Sequence, residues 1–371
     1  MNLSLLRLND SHSYYGGAIG SIGYELLSSL ASINDVEVVS FTQGTDLSHP
    51  LPPSLNLIQA SSFNEVEKRM HEFLQNPEET ILTHFYFHEP ESTPISQVAS
   101  KLDSPFVIGM CELPHYRLSD EVPGILKSPS LRKIGKSIAY LPRFKKTLSH
   151  CDRLITVNEA AKEYYSEHVS KDKICTIPYG VNQELFPSTP LPDQNRLLVV
   201  SRLIQRRGID KIIEILPSLL SEISDVHLDI VGNGPQHASL EKQASKLGIS
   251  SKVHFHGNVP YEELVRHYQN CSIFCHLSDS DGWNQPALEA MSIGRPVIGI
   301  DASHNSMITD GSTGYLIPSD QPNLLLDRLV QLLENKSLCS QMSASSVKSI
   351  STNYSLSTVA KQYVLEFERL L

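Results

Sequence analysis

Short runs of apolar residues, bounded by glycine, proline or charge, recur along this chain with helix-length sequence between them. In the first half they fall at residues 3–8 (Leu-Ser-Leu-Leu-Arg-Leu), 36–41 (Val-Glu-Val-Val-Ser-Phe), 80–83, 105–110, 153–157 and 174–178. In the second half they fall at 197–202 (Leu-Leu-Val-Val-Ser-Arg), 226–231, 253–256 and 271–277 (Cys-Ser-Ile-Phe-Cys-His-Leu). Apolar runs with little polar alternation belong in sheets covered on both faces, and helix-length spacing between them implies parallel strands joined by βαβ units. A chain of 371 residues is long enough for two such α/β domains. The proline-rich stretch 187–193 (Pro-Ser-Thr-Pro-Leu-Pro-Asp) reads as the linker between them, giving domains of residues 1–186 and 187–353.

The most informative stretch is Asp281-Gly282-Trp283-Asn284-Gln285-Pro286-Ala287-Leu288-Glu289, which runs on through Ala290-Met291-Ser292-Ile293-Gly294-Arg295-Pro296-Val297-Ile298. It predicts a turn and then a helix stopped by Gly294 and Pro296. Asp281 lies in the turn, where Gly282 permits a close approach of backbone to ligand. Glu289 sits about a turn inside the helix, in an apolar segment where a carboxylate needs a partner. A plainer reading makes Asp281 a turn former or helix cap.

These residues resemble the Glu-x7-Glu text of retaining glycosyltransferases of the GT-B fold, specifically the GT4 family, whose usual form is close to E-G-F-G-x-x-x-L-E-A-M-A-x-G-x-P-V-I. Asp281 stands at the first Glu and Asn284 at a Gly. The resemblance implies two Rossmann-like, doubly wound parallel-sheet domains facing a central cleft, with a last helix, 354–371, packing back on the first domain. It also implies that Asp281 holds hydroxyls of a donor sugar and that Glu289 holds the ribose of its nucleotide, with Gly282, Trp283, Asn284 and Leu288 in the same donor-binding stretch. Residues 150–182 resemble the family's "A-D-x-V-I-T-V-S-E … I-P-N-G-V-D" text, which closes the first domain.

Other family positions map residue by residue. Arg202 matches the family's arginine and Arg207 stands where the family has lysine, and both are expected to grip the donor diphosphate. Gly232 and the pair Asn258-Val259 fall in glycine turns that frame the nucleobase. Gly16-Gly17 matches a glycine pair facing the diphosphate, while Gly17-x2-Gly20-x2-Gly23 also invites a nicotinamide-dinucleotide reading. The second strand ends at Thr42 without an acid for a ribose, which weakens that alternative. On the acceptor side the candidates are His84, Glu112 and His115, at or beyond strand ends where ligands of open α/β sheets bind. His115 stands a few residues beyond the family's usual histidine. Ser306 occupies a position where the family has Glu.

Charge and composition narrow the partners. The formal net charge of −10 argues against a dedicated nucleic-acid binder. No apolar stretch approaches a membrane span and no basic leader opens the sequence, so a cytoplasmic location is expected. Residues 125–148 mix Lys127, Arg132, Lys133, Lys136, Arg143, Lys145 and Lys146 with interleaved leucines and isoleucines. That pattern suits either contact with an anionic membrane surface, at the inner face of the plasma membrane, or a solvated helix packed on its own domain. The six cysteines lack metal-ligand spacing, and Cys271 and Cys275, on a buried-looking strand, read as reduced core residues. Asp279-Ser280-Asp281 is formally a D-x-D, but its neighbours are those of the family that works without metal, so neither metal nor cofactor is expected. The resemblance therefore implies hexose transfer from a nucleotide sugar, UDP-linked, to a glycan or lipid-linked acceptor in exopolysaccharide or glycolipid assembly. The competing readings are a catalytically idle scaffold of the same fold and a dinucleotide-dependent oxidoreductase.

Overall fold

The computed structural model describes residues 3–9, 18–33, 36–42, 55–59, 80–85, 105–111, 148–278, 282–319 and 321–371. The chain divides into two compact units, Met1–Gly180 with Leu356–Leu371, and Val181–Ser355. The first contains β1 (Leu3–Asn9), α1 (Ala18–Ala31), β2 (Val36–Thr42), β3 (Leu55–Gln59), β4 (Thr80–Phe85), β5 (Phe106–Cys111), β6 (Arg153–Thr156), α2 (Glu159–Tyr165) and β7 (Ile174–Thr176). The second contains β8 (Asn195–Val200), α3 (Ile209–Glu222), β9 (Val226–Val231), α4 (His237–Lys246), β10 (Val253–Gly257), α5 (Tyr261–Asn270), β11 (Ile273–His276), α6 (Gln285–Ile293), β12 (Val297–Ile300), β13 (Gly314–Ile317), α7 (Pro322–Glu334) and α8 (Lys336–Ser349). The last helix, α9 (Leu356–Glu368), returns to the first unit.

Both sheets are parallel throughout. Their orders are β3-β2-β1-β4-β5-β6-β7 and β10-β9-β8-β11-β12-β13. In each, the first strand of the unit lies inside the sheet and the winding direction reverses beside it, between β1 and β4 and between β8 and β11. Such reversals leave room at the carboxyl ends of the strands. The central strands β11 and β12 are buried at every residue, as their unbroken apolar runs require. In α3 the buried residues Ile209, Ile212, Ile213, Leu216 and Leu219 fall on one helical face and join Leu197, Val199, Leu228 and Ile230 in one core.

Several boundaries differ from the sequence expectation. Helix α1 begins at Ala18, so Gly20 and Gly23 of the glycine-spaced stretch lie inside a helix. Strands β3 and β13 were not expected, because each is short and flanked by loop-forming residues. The unit boundary falls at 180/181, ahead of the proline-rich stretch. Phe186 explains this: it is buried, meets Tyr268 edge-on at 5.8 Å, and its carbonyl accepts from Ser292 Oγ at 2.7 Å, so residues 181–186 pack with the second unit. Helix α9 buries Val359, Ala360, Tyr363 and Phe367 and packs against α1, and its Glu366 Oε2 lies 3.3 Å from Arg153 Nε of β6.

Arg295 of the second unit has no exposed surface. Its Nε donates to the carbonyl of Tyr268 at 3.0 Å, Nη1 to that of Thr189 at 3.2 Å, and Nη2 to those of Pro190 and Gln269, each at 3.0 Å. One guanidinium thus ties the end of α5 and the proline-rich stretch to the chain just after α6. Replacing Arg295 by Met leaves these carbonyls buried without donors. The expected loss is about 3 kcal/mol of unfolding free energy, read as a lower urea midpoint, and an unchanged midpoint would contradict it.

Candidate functional site

The carboxyl ends of β8, β9 and β11 are held together by backbone-to-backbone contact. After β8, Ser201 N donates to Val231 O at 3.0 Å and Leu203 N to Asn233 O at 3.0 Å, so the turns after β8 and β9 are laced together. Gly232 has φ +124° and a Cβ there would lie 2.0 Å from Ser201 O. Gly208, with φ +64°, sits against Leu277 just past β11, where a Cβ would lie 2.3 Å from the Leu277 carbonyl. Only glycine satisfies both the conformation and the clearance. These glycines bring the loop after β8 against the loop after β11 at the point where strand order reverses.

Two of the expected cations lie on that loop. Arg202 lies two residues past the end of β8 and is exposed. Arg207 ends the short 3-10 turn Gln205–Arg207 and is half-buried, one residue before Gly208 opens α3. Two histidines that the sequence left without a role lie at the end of β11 and in the turn after β12. His276, the last residue of β11, and His304 are both buried, with ring centroids 5.9 Å apart and the rings near perpendicular. Burial holds the His276 imidazole well below the usual histidine range, and the positive charges of Arg207, His304 and Arg206 add to the effect. It is neutral at physiological pH.

Asn284 caps α6: its Oδ1 accepts from Ala287 N at 3.1 Å, and its Nδ2 donates to Asn305 Oδ1 at 2.6 Å. Asn305 donates in turn to Ile300 O at 2.8 Å, and Asn284 N donates to His304 O at 3.2 Å. The start of α6 is thereby fastened to the turn after β12. Gly282 is buried, Trp283 is buried 6.3 Å from the Tyr354 ring, and Leu288 is wholly inside the core. Glu289, on the buried side of α6, accepts a 2.7 Å hydrogen bond from Tyr268 Oη, a residue of α5 with no exposed surface. Burial first, and then the Glu289 charge, push that phenol well above its ordinary range, so it stays a donor. Nothing in the sequence marked Tyr268, whereas His276 was visible as a polar residue in an apolar strand.

The other turns of the strand-end region carry Gly232, the exposed Asn258 and the half-buried Val259, with Gly232 N donating to Gly257 O at 2.7 Å. Asp281, Gly16, Gly17, Glu112, His115 and residues 125–147 of the basic segment lie outside the described residues, and His84 is placed only as a position of β4. A cavity of about 200 Å3 opens beside the same strand ends and is lined by Lys211, Glu214, Leu277, Ile300, Ile317 and Asn323; none of Arg202, Arg207, Trp283 or Glu289 lines it. Among the described residues no helix is long and apolar enough to cross a membrane.

Two parallel, doubly wound sheets in two units form the GT-B architecture. HepE of Anabaena in complex with UDP superimposes with a TM-score of 0.76 at 15% identity, over 99% of this chain and 100% of that one. Residues 181–348 match the family described as glycosyl transferases group 1. An uncharacterized glycosyltransferase of Haemophilus influenzae is 25% identical over 63% of this chain and 64% of its own. A GDP-mannose-dependent alpha-(1-6)-phosphatidylinositol monomannoside mannosyltransferase of Mycolicibacterium smegmatis is 30% identical over 42% of this chain and 46% of its own. The matches thus span about half to two thirds of these curated relatives.

Two consequences follow for stability. Tyr268→Phe removes the donor to the buried Glu289 carboxylate and should cost about 1–3 kcal/mol in urea unfolding, with little change in secondary structure. For His276 the folded pKa is depressed, so the unfolded chain takes up a proton as pH falls through about 6.5 while the folded one does not, and stability falls with it. Between pH 7.5 and 5.5 the wild type should lose about 1.4 kcal/mol more than His276→Gln. Parallel pH curves for the two proteins would refute this.

Proposed function

We propose that this protein is a retaining glycosyltransferase of the GT4 type, which transfers a hexose from a nucleotide sugar, UDP-linked, to a glycan or lipid-linked acceptor. What supports this reading is that two cations on the loop after β8 and a buried carboxylate on α6 belong to one family-matched stretch of the second unit, whose sheet reverses its strand order between β8 and β11. Arg202 and Arg207 take the diphosphate, whose charge grows as the sugar departs. The N-terminus of α3, directly after Arg207, adds the positive end of a helix dipole. Fixed cations of this kind do the work that a divalent ion does elsewhere, so no metal enters the reaction.

Glu289 receives the ribose hydroxyls. A carboxylate accepts two such bonds well, and the Tyr268 hydroxyl already orients it. Asp281 orients the donor sugar, and the turns at Gly232 and Asn258-Val259 frame the base. The acceptor hydroxyl attacks the anomeric carbon on the face from which the diphosphate leaves. The bond to the departing phosphate oxygen breaks as the new glycosidic bond forms, and that oxygen takes the acceptor's proton, with retention at carbon. His84, Glu112 and His115 are the acceptor-side candidates. A lipid-linked acceptor accords with the mannosyltransferase relative named for phosphatidylinositol monomannoside and with contact of residues 125–148 with an anionic membrane surface on the cytoplasmic side.

Glu289→Gln keeps an acceptor for Tyr268 and removes the negative charge. Transfer should fall by about a hundredfold or more while the melting temperature stays near that of the wild type, and a near-normal rate would remove Glu289 from the site. In a thermal-shift panel of UDP, GDP and NAD, stabilisation by a nucleoside diphosphate supports the reading. Stabilisation by NAD alone would favour the oxidoreductase alternative.

A further inference from the structure

The far edge of the second sheet carries a group of side chains that the proposed reaction does not use. Asp229 of β9, His256 of β10 and His267 of α5 each offer one ligand atom, and these atoms all lie within 4.8 Å of one another. Asp229 is buried. Its Oδ1 lies 2.8 Å from His256 Nε2, and its Oδ2 accepts from Arg196 Nη1 at 2.7 Å. The rings of His256 and His267 stand 4.3 Å apart. His267 Nε2 is buried without a hydrogen-bond partner, and the nearest carboxylate oxygen, Glu263 Oε1, is 3.9 Å away, beyond hydrogen-bond reach.

A buried imidazole nitrogen with no partner is costly, and a metal ion is one group that would satisfy it. We propose that Asp229, His256 and His267 form a binding site for a borderline-soft divalent cation of the zinc class, separate from the donor site. Metal–ligand distances of about 2.0–2.2 Å put tetrahedral ligands about 3.4 Å apart, so small side-chain rotations close the observed spacing. Two imidazoles and one carboxylate select zinc-like ions over Mg2+ or Ca2+, which prefer all-oxygen sets. Arg196 holds the second carboxylate oxygen and so aims the first at the ion, in the way that outer hydrogen bonds orient metal ligands. The three ligands leave one tetrahedral position open.

The site has a structural consequence. His256 and His267 bracket the chain segment that carries Asn258 and Val259, so the ion would clamp β10 and α5 on either side of the turn proposed to frame the base. Nothing in the transfer step depends on it.

The test is a calorimetric titration of ZnCl2 into the chelator-treated full chain, with Co2+ as a spectroscopic probe. One equivalent should bind, and Co2+ should show the strong visible d–d bands of a four-coordinate N/O site. His267→Gln should lose at least about tenfold in zinc affinity, whereas its metal-free melting temperature should stay near the wild type, because the nitrogen it removes has no hydrogen bond. His254→Gln, a histidine of the same edge outside the ligand set, should bind like the wild type. Absence of saturable binding, an octahedral Co2+ spectrum, or unchanged affinity in His267→Gln would each overturn the proposal. Loss of binding in His254→Gln would overturn the ligand assignment.

Discussion

The architecture of the second unit depends on backbone meeting backbone at the strand ends. A parallel sheet points all its carboxyl termini one way, and the loops that follow must turn within the width of neighbouring strands. Here Gly208 lies under the Leu277 carbonyl and Gly232 under that of Ser201, at separations that no side chain tolerates. The loop after β8 can therefore come down beside β11, and Arg207 with it. Any Cβ at either position would lift that loop and carry the cation away from the strand-order reversal.

Around this close contact the polar groups are bound one to the next. Asn284 caps α6 and grips Asn305, which grips the end of β12. Glu289, on the same helix, is oriented by Tyr268 of α5, and α5 is itself anchored through the carbonyls of Tyr268 and Gln269 to the Arg295 guanidinium. Arg295 is a fully buried cation with its donors spent on carbonyls, which solves a desolvation problem that would otherwise be prohibitive. A helix held at both ends presents its carboxylate with little freedom, and preorganisation of that kind is what lets a fixed charge act on a ligand.

The histidines show how burial divides one residue type into different roles. His276 lies in an all-buried strand and stays neutral, so it packs as an uncharged ring against His304. His256 lies at the sheet edge against the buried Asp229. There burial acts to raise the carboxyl pKa, but the bonds from His256 and Arg196 outweigh it and hold Asp229 ionised. An edge strand such as β10 leaves such groups within reach of solvent ions, whereas a central strand does not.

The sequence alone determined the features that are local in the chain. Apolar runs without alternation specified buried parallel strands, Gly294 marked the end of α6, and the 281–298 text resembled the family whose model residues 181–348 match, while the cap of α6 is Asn284 rather than Asp281. Only the tertiary structure decided what depends on groups distant in sequence. It drew residues 181–186 into the second unit through Phe186 and gave Glu289 its partner in Tyr268. It also brought Asp229, His256 and His267 together from two strands and a helix. The physical reason is range: periodicity and capping are settled within a few residues, whereas the pairing of a buried polar group depends on which strands the sheet happens to place side by side.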